Sequence, residues 1–279
     1  MITNPNVKIN LGLNILRKRE DGFHDLETLF VPYFGIHDTL EIVVGEDYSR
    51  TSAALFGKYA PEMIAQGISE DGSLMITIAR KEGVDWDPLK DLTAKAYHIL
   101  AEDFKLPPVK IFLEKTSPVG AGLGGGSADA AFALKMLNEL CELGLSEQQL
   151  AEYASRLGSD CAFFIYNRPM IGQGRGEILT EYPVDLDGYD LQVLTPEGVA
   201  VSTKEAYAGI RPHIPEVSLK DALARPVEEW AEFLKNDFEE TVFANHPELA
   251  AIKRSLYDSG AAYASMSGSG SALFALYRK

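Results

Sequence analysis

Cysteine is nearly absent from this 279-residue chain: only Cys141 and Cys161 occur. Two such residues make no disulfide framework or metal cluster and read as ordinary small apolar side chains in a reducing compartment. Long apolar runs are missing too. Nothing approaches the roughly 20 residues needed to span a bilayer, and no basic segment near the N-terminus leads into an apolar stretch and a small-residue cleavage site. A cytoplasmic setting with no membrane partner is therefore expected. Basic residues are the third deficit, with 26 Lys and Arg against 41 Asp and Glu, a net charge of −15. Nucleic acid is then excluded as a partner, because such a surface needs clustered cations to displace counterions. An anionic ligand would have to be held by local devices: backbone amides, a helix N-terminus, a few placed cations.

What is present is ordinary globular composition, 46% hydrophobic and 10% aromatic, with no repeats or low-complexity tracts. The length allows two packed lobes with a cleft between them; the expected division is 1–165 and 166–279. Residues 7–16 alternate, Val7, Ile9, Leu11, Leu13 and Ile15 against Lys8, Asn10, Gly12 and Asn14, which predicts a half-buried strand with Lys8 and Asn10 on its polar face. A polar turn at 17–22, strands at 39–44, 74–79, 109–113, 190–195 and 272–277, and helices at 92–104, 227–236 and 247–259 follow from the same patterns. Ser146 with Gln149 resembles a capping box opening a helix to about residue 157. Residues 45–72 are weakly periodic and align with nothing.

The most informative segment is PVGAGLGGGSADAA at 118–131, with five glycines in the seven positions 120–126. A strand precedes it. Ala130, Leu134, Leu137 and Cys141 place a helix after it, beginning near Ser127 and ending before Gly144. Glycine tolerates left-handed backbone angles and lets amides approach phosphate oxygens, and the following helix presents free N–H groups and its positive end to the same anion. Ser127 can offer a hydroxyl to phosphate or to Mg2+. The run lacks the Lys-Ser/Thr ending of a P-loop and the companions of a protein kinase. Gly120, Gly122 and Gly125, with Glu139 or Glu142 beyond, also satisfy the spacing of a dinucleotide-binding loop, so a dinucleotide-dependent oxidoreductase stays as an alternative.

Other segments gain meaning beside this run: VKINLGL at 7–13, REDGFHDLETLF at 19–30, LGSD at 157–160 and MSGSG at 266–270. Alone, Lys8 would read as a solvated lysine, His24 as structural and Asp160 as a turn aspartate. Together with the glycine run they make the chain similar to the GHMP kinases over nearly its whole length. That resemblance implies an α+β, two-lobed fold, with a ribosomal-protein-S5-like N-terminal lobe carrying ATP and a ferredoxin-like C-terminal lobe. It implies Mg2+-dependent phosphoryl transfer from ATP to a small-molecule alcohol, here a cytidyl diphosphate alcohol of non-mevalonate isoprenoid synthesis, by a monomer or homodimer. Asp160 falls on the catalytic aspartate and Lys8 on its partner lysine. Pro118, Gly120, Gly122, Leu123, Gly124, Gly125, Gly126, Ser127 and Ala128 fall on the phosphate-binding element, and Lys95 on a segment bordering adenine. Phe23, His24 and Tyr207 match positions that hold cytosine; Asn10, Phe30, Thr203, Gly268 and Gly270 are substrate-side positions. Asp91 stands where an asparagine is usual. A kinase for a smaller alcohol, of mevalonate or homoserine type, remains open, although such a substrate offers nothing for two rings to clasp.

Overall fold

The computed structural model describes residues 1–45 and 49–279; residues 46–48, inside the weakly periodic 45–72 segment, lie outside the described residues. The chain forms two compact units that interleave along the sequence. The first comprises Met1–Val7, Tyr33–Val119 and Gly124–Asn167; the second comprises Lys8–Pro32, Gly120–Leu123 and Arg168–Lys279. The glycine run is thus divided, with Gly120–Leu123 in the second unit and its flanking residues in the first.

In the first unit a five-stranded sheet runs in the order Ile2–Thr3, Thr39–Val44, Val109–Lys115, Leu74–Arg80, Ile64–Ile68. All neighbours are antiparallel except Leu74–Arg80 and Val109–Lys115, which pair in parallel with Ile76 opposite Ile111. Parallel neighbours need a crossover, and helix Leu92–Ala101 supplies it. Asp91 starts that helix: its Oδ1 accepts from the Thr93 amide at 2.9 Å and from the Thr93 hydroxyl at 2.7 Å. The helix stops three residues short of the expected end, although Phe104 still donates to the Leu100 carbonyl. Helix Gly125–Leu140 packs on it and on Cys161–Tyr166. Helix Glu147–Leu157 opens with the expected capping box, Ser146 and Gln149 bonding each other's backbone amides.

In the second unit Tyr189–Leu194, Leu273–Arg278 and Tyr263–Met266 form an antiparallel sheet in that order. Helices Thr203–Ala208, Phe238–Asn245 and Pro247–Asp258 bury Ala206, Phe238, Val242, Leu249 and Leu256 with Leu13, Ile15 and Met266. A further sheet orders Asn6–Lys18, His24–His37, Met170–Gly174 and Ile178–Glu181. Strand Asn6–Lys18 is buried on both faces from Asn6 to Ile15, where alternation had suggested one polar, solvated face. A helix was expected at 227–236; the chain there makes a 3₁₀ turn and a short helix, Trp230–Phe233, and turns extended at Leu234. Competition from the first long strand explains the break, since the Leu13 amide donates to the Lys235 carbonyl and the Asp237 amide to that of Leu13. Mixed helices and sheets give the α+β class the sequence implied.

Candidate active site

Lys8, in the second unit, is a buried and hydrogen-bonded cation. Only 3% exposed, it donates from Nζ to Asn10 Oδ1 at 2.5 Å and to the Gly122 carbonyl at 2.8 Å. Its ammonium also lies 5.5 Å from the centre of the Phe30 ring. The strand carrying it is tied to the glycine run through the backbone as well, Lys8 N–H to the Leu123 carbonyl at 2.9 Å. Asn10 is oriented in turn, its Nδ2 donating to Thr28 Oγ1 at 3.1 Å while Thr28 donates to the Gly12 carbonyl. A solvated lysine is therefore ruled out. Phe30 is buried and its ring fills the space where Gly172 would otherwise carry a side chain.

The loop at 266–270 reaches the same carbonyl. Ser267 Oγ donates to the Gly122 carbonyl at 3.0 Å, and the Ala272 amide donates to that of Ala121 at 3.1 Å. Asn236 shapes this loop from behind, its Nδ2 donating to the Met266 and Gly268 carbonyls at 2.7 and 2.9 Å. Gly268 and Gly270 both have left-handed φ, 55° and 83°. Nothing in the sequence pattern singles out Asn236, whereas Ser267 lies within the MSGSG segment at 266–270, where only the two glycines were expected as site residues.

In the first unit Gly124, at φ 73° and ψ 18°, turns the chain into helix Gly125–Leu140. The Ala128 amide is already engaged by the Gly124 carbonyl at 2.9 Å, so the first-turn amides without an intrahelical partner belong to Gly125, Gly126 and Ser127. A Cβ built on Gly126 would meet only Leu92 Cδ1, 4.0 Å away, and one built on Gly120 nothing within 4 Å. These are open faces onto which an anion's oxygens can come close. Leu92 begins the helix on which Lys95 stands exposed one turn later. Asp91, beside it, has both oxygens engaged, Oδ2 accepting from the Trp86 indole at 3.0 Å.

Asp160 lies at the start of helix Cys161–Tyr166 and makes no side-chain cap bond to it. Its neighbour Cys161 is buried and hydrogen-bonds Ser127; burial pushes the thiol up to about 12, so it is inert as a nucleophile. Through this contact the segment bearing Asp160 and the first turn of helix Gly125–Leu140 are joined. Among the described residues no group of three or more His, Cys, Asp or Glu could cage a metal ion.

His24, Tyr207 and Phe23, expected from the sequence to hold cytosine, all belong to the second unit. His24 stacks on Tyr207 with centroids 4.8 Å apart and planes 24° from parallel, and Tyr207 packs its edge on Phe238 at 4.8 Å. Burial first, then the charge of Lys18, hold His24 below the ordinary imidazole range, which keeps it neutral at pH 7. Phe23 is 55% exposed, with the Arg175 guanidinium 5.1 Å from its ring centre. Thr203 opens the short helix that carries Tyr207.

Known proteins bear directly on this arrangement. The family models described as GHMP kinases N terminal domain and GHMP kinases C terminal match residues 91–168 and 218–279. A 4-diphosphocytidyl-2-C-methyl-D-erythritol kinase of Bacteroides thetaiotaomicron is 48% identical over 277 residues, covering 99% of this chain and 92% of its own. The kinase of the same description from Porphyromonas gingivalis is 39% identical over 281 residues, covering 100% and 93%. Among solved structures, a 4-(cytidine 5'-diphospho)-2C-methyl-D-erythritol kinase superposes with a TM-score of 0.75 at 29% identity, over 99% of this chain and 90% of the other. A homoserine kinase of Cytophaga hutchinsonii superposes at 0.66 with 17% identity, over 99% and 86%, a likeness of fold alone. No helix among the described residues is long and apolar enough to cross a membrane. The chain belongs to the GHMP kinases, within the family of 4-diphosphocytidyl-2-C-methyl-D-erythritol kinases, and is an ATP-dependent small-molecule kinase.

Proposed function

We propose that this kinase phosphorylates the 2-hydroxyl of 4-diphosphocytidyl-2-C-methyl-D-erythritol, a step of non-mevalonate isoprenoid precursor synthesis, with domains at 1–165 and 166–279. The observation that carries the chemistry is the Lys8 ammonium donating to the Gly122 carbonyl, which sets a desolvated positive charge against the glycine run. Phosphoryl transfer depends on positioning and charge stabilisation more than on covalent chemistry. The amides of the glycine run and of the first turn at Gly125, Gly126 and Ser127 receive the nucleotide's phosphates. Pro118 and Leu123 hold the run's course, and Lys95 borders the adenine. Lys8 stabilises negative charge developing on the transferred group. Asp160, at the start of helix Cys161–Tyr166, takes the proton of the attacking hydroxyl. Ser127 is the residue that would meet Mg2+ arriving with the nucleotide, and the ion would supply charge neutralisation there. Asn10, Phe30, Thr203, Gly268 and Gly270, all of the second unit, are the residues assigned to the substrate.

Cytosine is held by Phe23, His24 and Tyr207, the neutral imidazole offering a hydrogen bond and the rings their faces. The test of substrate identity is an ADP-release assay with the cytidyl diphosphate alcohol beside mevalonate and homoserine. Turnover with the first alone is expected, and turnover with either small alcohol overturns the assignment. Phe23→Ala should raise KM for the cytidyl alcohol about ten-fold to a hundred-fold, the loss of one stacking contact. KM for ATP and the melting temperature should stay put, because Phe23 is exposed. Tyr207→Ala should raise the same KM but also lower the melting temperature, since Tyr207 packs against Phe238.

A further inference from the structure

Three charged side chains that the reaction does not use are sealed under the glycine run in the first unit. Lys115 ends strand Val109–Lys115, and its side chain is 5% exposed; those of Asp38 and Asp129 are 0% and 1%. Lys115 Nζ donates to Asp38 Oδ2 at 2.5 Å, Asp129 Oδ2 at 2.6 Å and Ser117 Oγ at 3.0 Å. The two carboxylates are treated unequally. Asp38 also accepts from the Thr116 and Ser117 amides and from the Ser117 hydroxyl, each at 2.6 Å. Among the described residues Asp129 accepts from Lys115 alone, and its Oδ1 is buried with no partner.

Burying ions is costly, and an apolar cluster of similar volume would hold a fold at least as well. Stability alone therefore does not account for the arrangement, but its place in the chain does. Residue 115 is where the chain leaves the sheet for the glycine run, and residue 129 is in the second turn of the helix that receives it. A bond from Lys115 to Asp129 crosses the neck of the loop. The neck is also closed by packing: a Cβ on Gly125 would stand 2.3 Å from Ser117 Oγ and 3.1 Å from Lys115 Nζ. That glycine is required by what lies behind it.

We propose that Lys115 and Asp129 are positioning residues, a clasp across the neck of the glycine loop that sets the affinity for nucleotide phosphates without touching the nucleotide. The proposal rests on the reading of that loop as the phosphate site. Burial, then the nearby Asp38 charge, outweigh Lys115 and hold the Asp129 carboxyl well above its ordinary range, while Lys115 and the donors around Asp38 overcome its burial and hold that carboxyl below. Asp129 meets Lys115 through its Oδ2 alone of its two oxygens, and an acceptor oxygen at that point is what the clasp asks of it. An amide serves that purpose and an alkyl group does not.

The experiment compares Asp129→Asn, Asp129→Leu and Gly126→Val for KM of ATP, KM of the cytidyl alcohol, kcat and melting temperature. Asp129→Leu leaves Lys115 paired with Asp38, and KM for ATP should rise about ten-fold or more as the phosphate amides lose register. KM for the alcohol should not move. Asp129→Asn should keep the ATP value. Gly126→Val should raise it by obstructing the open face. Should Asp129→Leu not fold, Lys115→Met/Asp129→Leu removes the ammonium as well and leaves Asp38 with its three other donors, and the same ATP shift is expected. An unchanged KM for ATP in the leucine variants beside a raised one in Gly126→Val overturns the clasp. A wild-type value in Gly126→Val overturns the phosphate reading of the loop and the clasp with it.

Discussion

Asp160→Asn should lower kcat by about 10²–10⁴-fold, the usual contribution of a general base, while KM for ATP stays nearly constant. The asparagine keeps the shape and most of the polarity of the side chain but cannot accept a proton from the acceptor hydroxyl. Loss confined to kcat is the signature of an interaction made only in the transition state. The competing role for an aspartate at this point is to cap the helix Cys161–Tyr166, and asparagine caps as well as aspartate. A capping role therefore predicts an active variant. The absence of any cap bond from the Asp160 side chain already speaks against it. Steady-state kinetics with ATP and the cytidyl alcohol, plus nucleotide binding on the purified variant, separate the two; wild-type kcat would remove Asp160 from the chemistry.

Some of this was legible in the sequence, for physical reasons that can be named. Strands Thr39–Val44, Leu74–Arg80 and Val109–Lys115 are buried runs bounded by turn residues, and helices Gly125–Leu140 and Pro247–Asp258 carry a regular apolar stripe, so local pattern and final structure agree. Strand His24–His37 was missed because Pro32 and Gly35 interrupt its alternation and its second half is partly exposed. The expected helix at 227–236 failed for the opposite reason: its local pattern is helical, but the backbone at Lys235 and Asp237 is captured by Leu13, a residue more than 200 positions away. No window of sequence contains that competition.

At the site, residue types were readable and their partners were not. Lys8 and Asn10 were legible as two polar residues on one strand face, yet only the fold shows that the face is buried and that Lys8 reaches the carbonyl of Gly122. Asp91, unusual in place of asparagine, turns out to be committed to Thr93 and Trp86. The glycines of the run look alike in sequence and are not alike in space. Gly120 and Gly126 have open faces, whereas Gly122 and Gly125 are pressed against other parts of their own units.

That difference yields the largest expected effect on the folded protein. At Gly122, φ is 76°, and a Cβ would lie 2.1 Å from the Ser267 carbonyl oxygen and 3.1 Å from the Gly270 amide. Both obstacles are backbone, so they cannot rotate away. Gly122→Ala therefore combines a left-handed alanine with forced separation of the run from the 266–270 loop, costs of about 1–3 kcal/mol each. The same displacement pulls the Gly122 carbonyl from Lys8 Nζ and Ser267 Oγ, leaving a buried ammonium with one fewer acceptor. Melting temperature should fall by roughly 5–15 °C on the usual conversion for a chain of this size, and KM for ATP should rise together with a lower kcat, because Lys8 moves with its partner. Gly126→Ala, four residues on and in the same run, is the internal control. Its Cβ enters open space on a helix, where alanine is preferred over glycine by up to about 1 kcal/mol, so its melting temperature should hold or rise while KM for ATP increases. If Gly122→Ala melted like the wild-type protein, the packing of the run on the 266–270 loop would be wrong; if both variants bound ATP normally, the glycine run would not be the phosphate site.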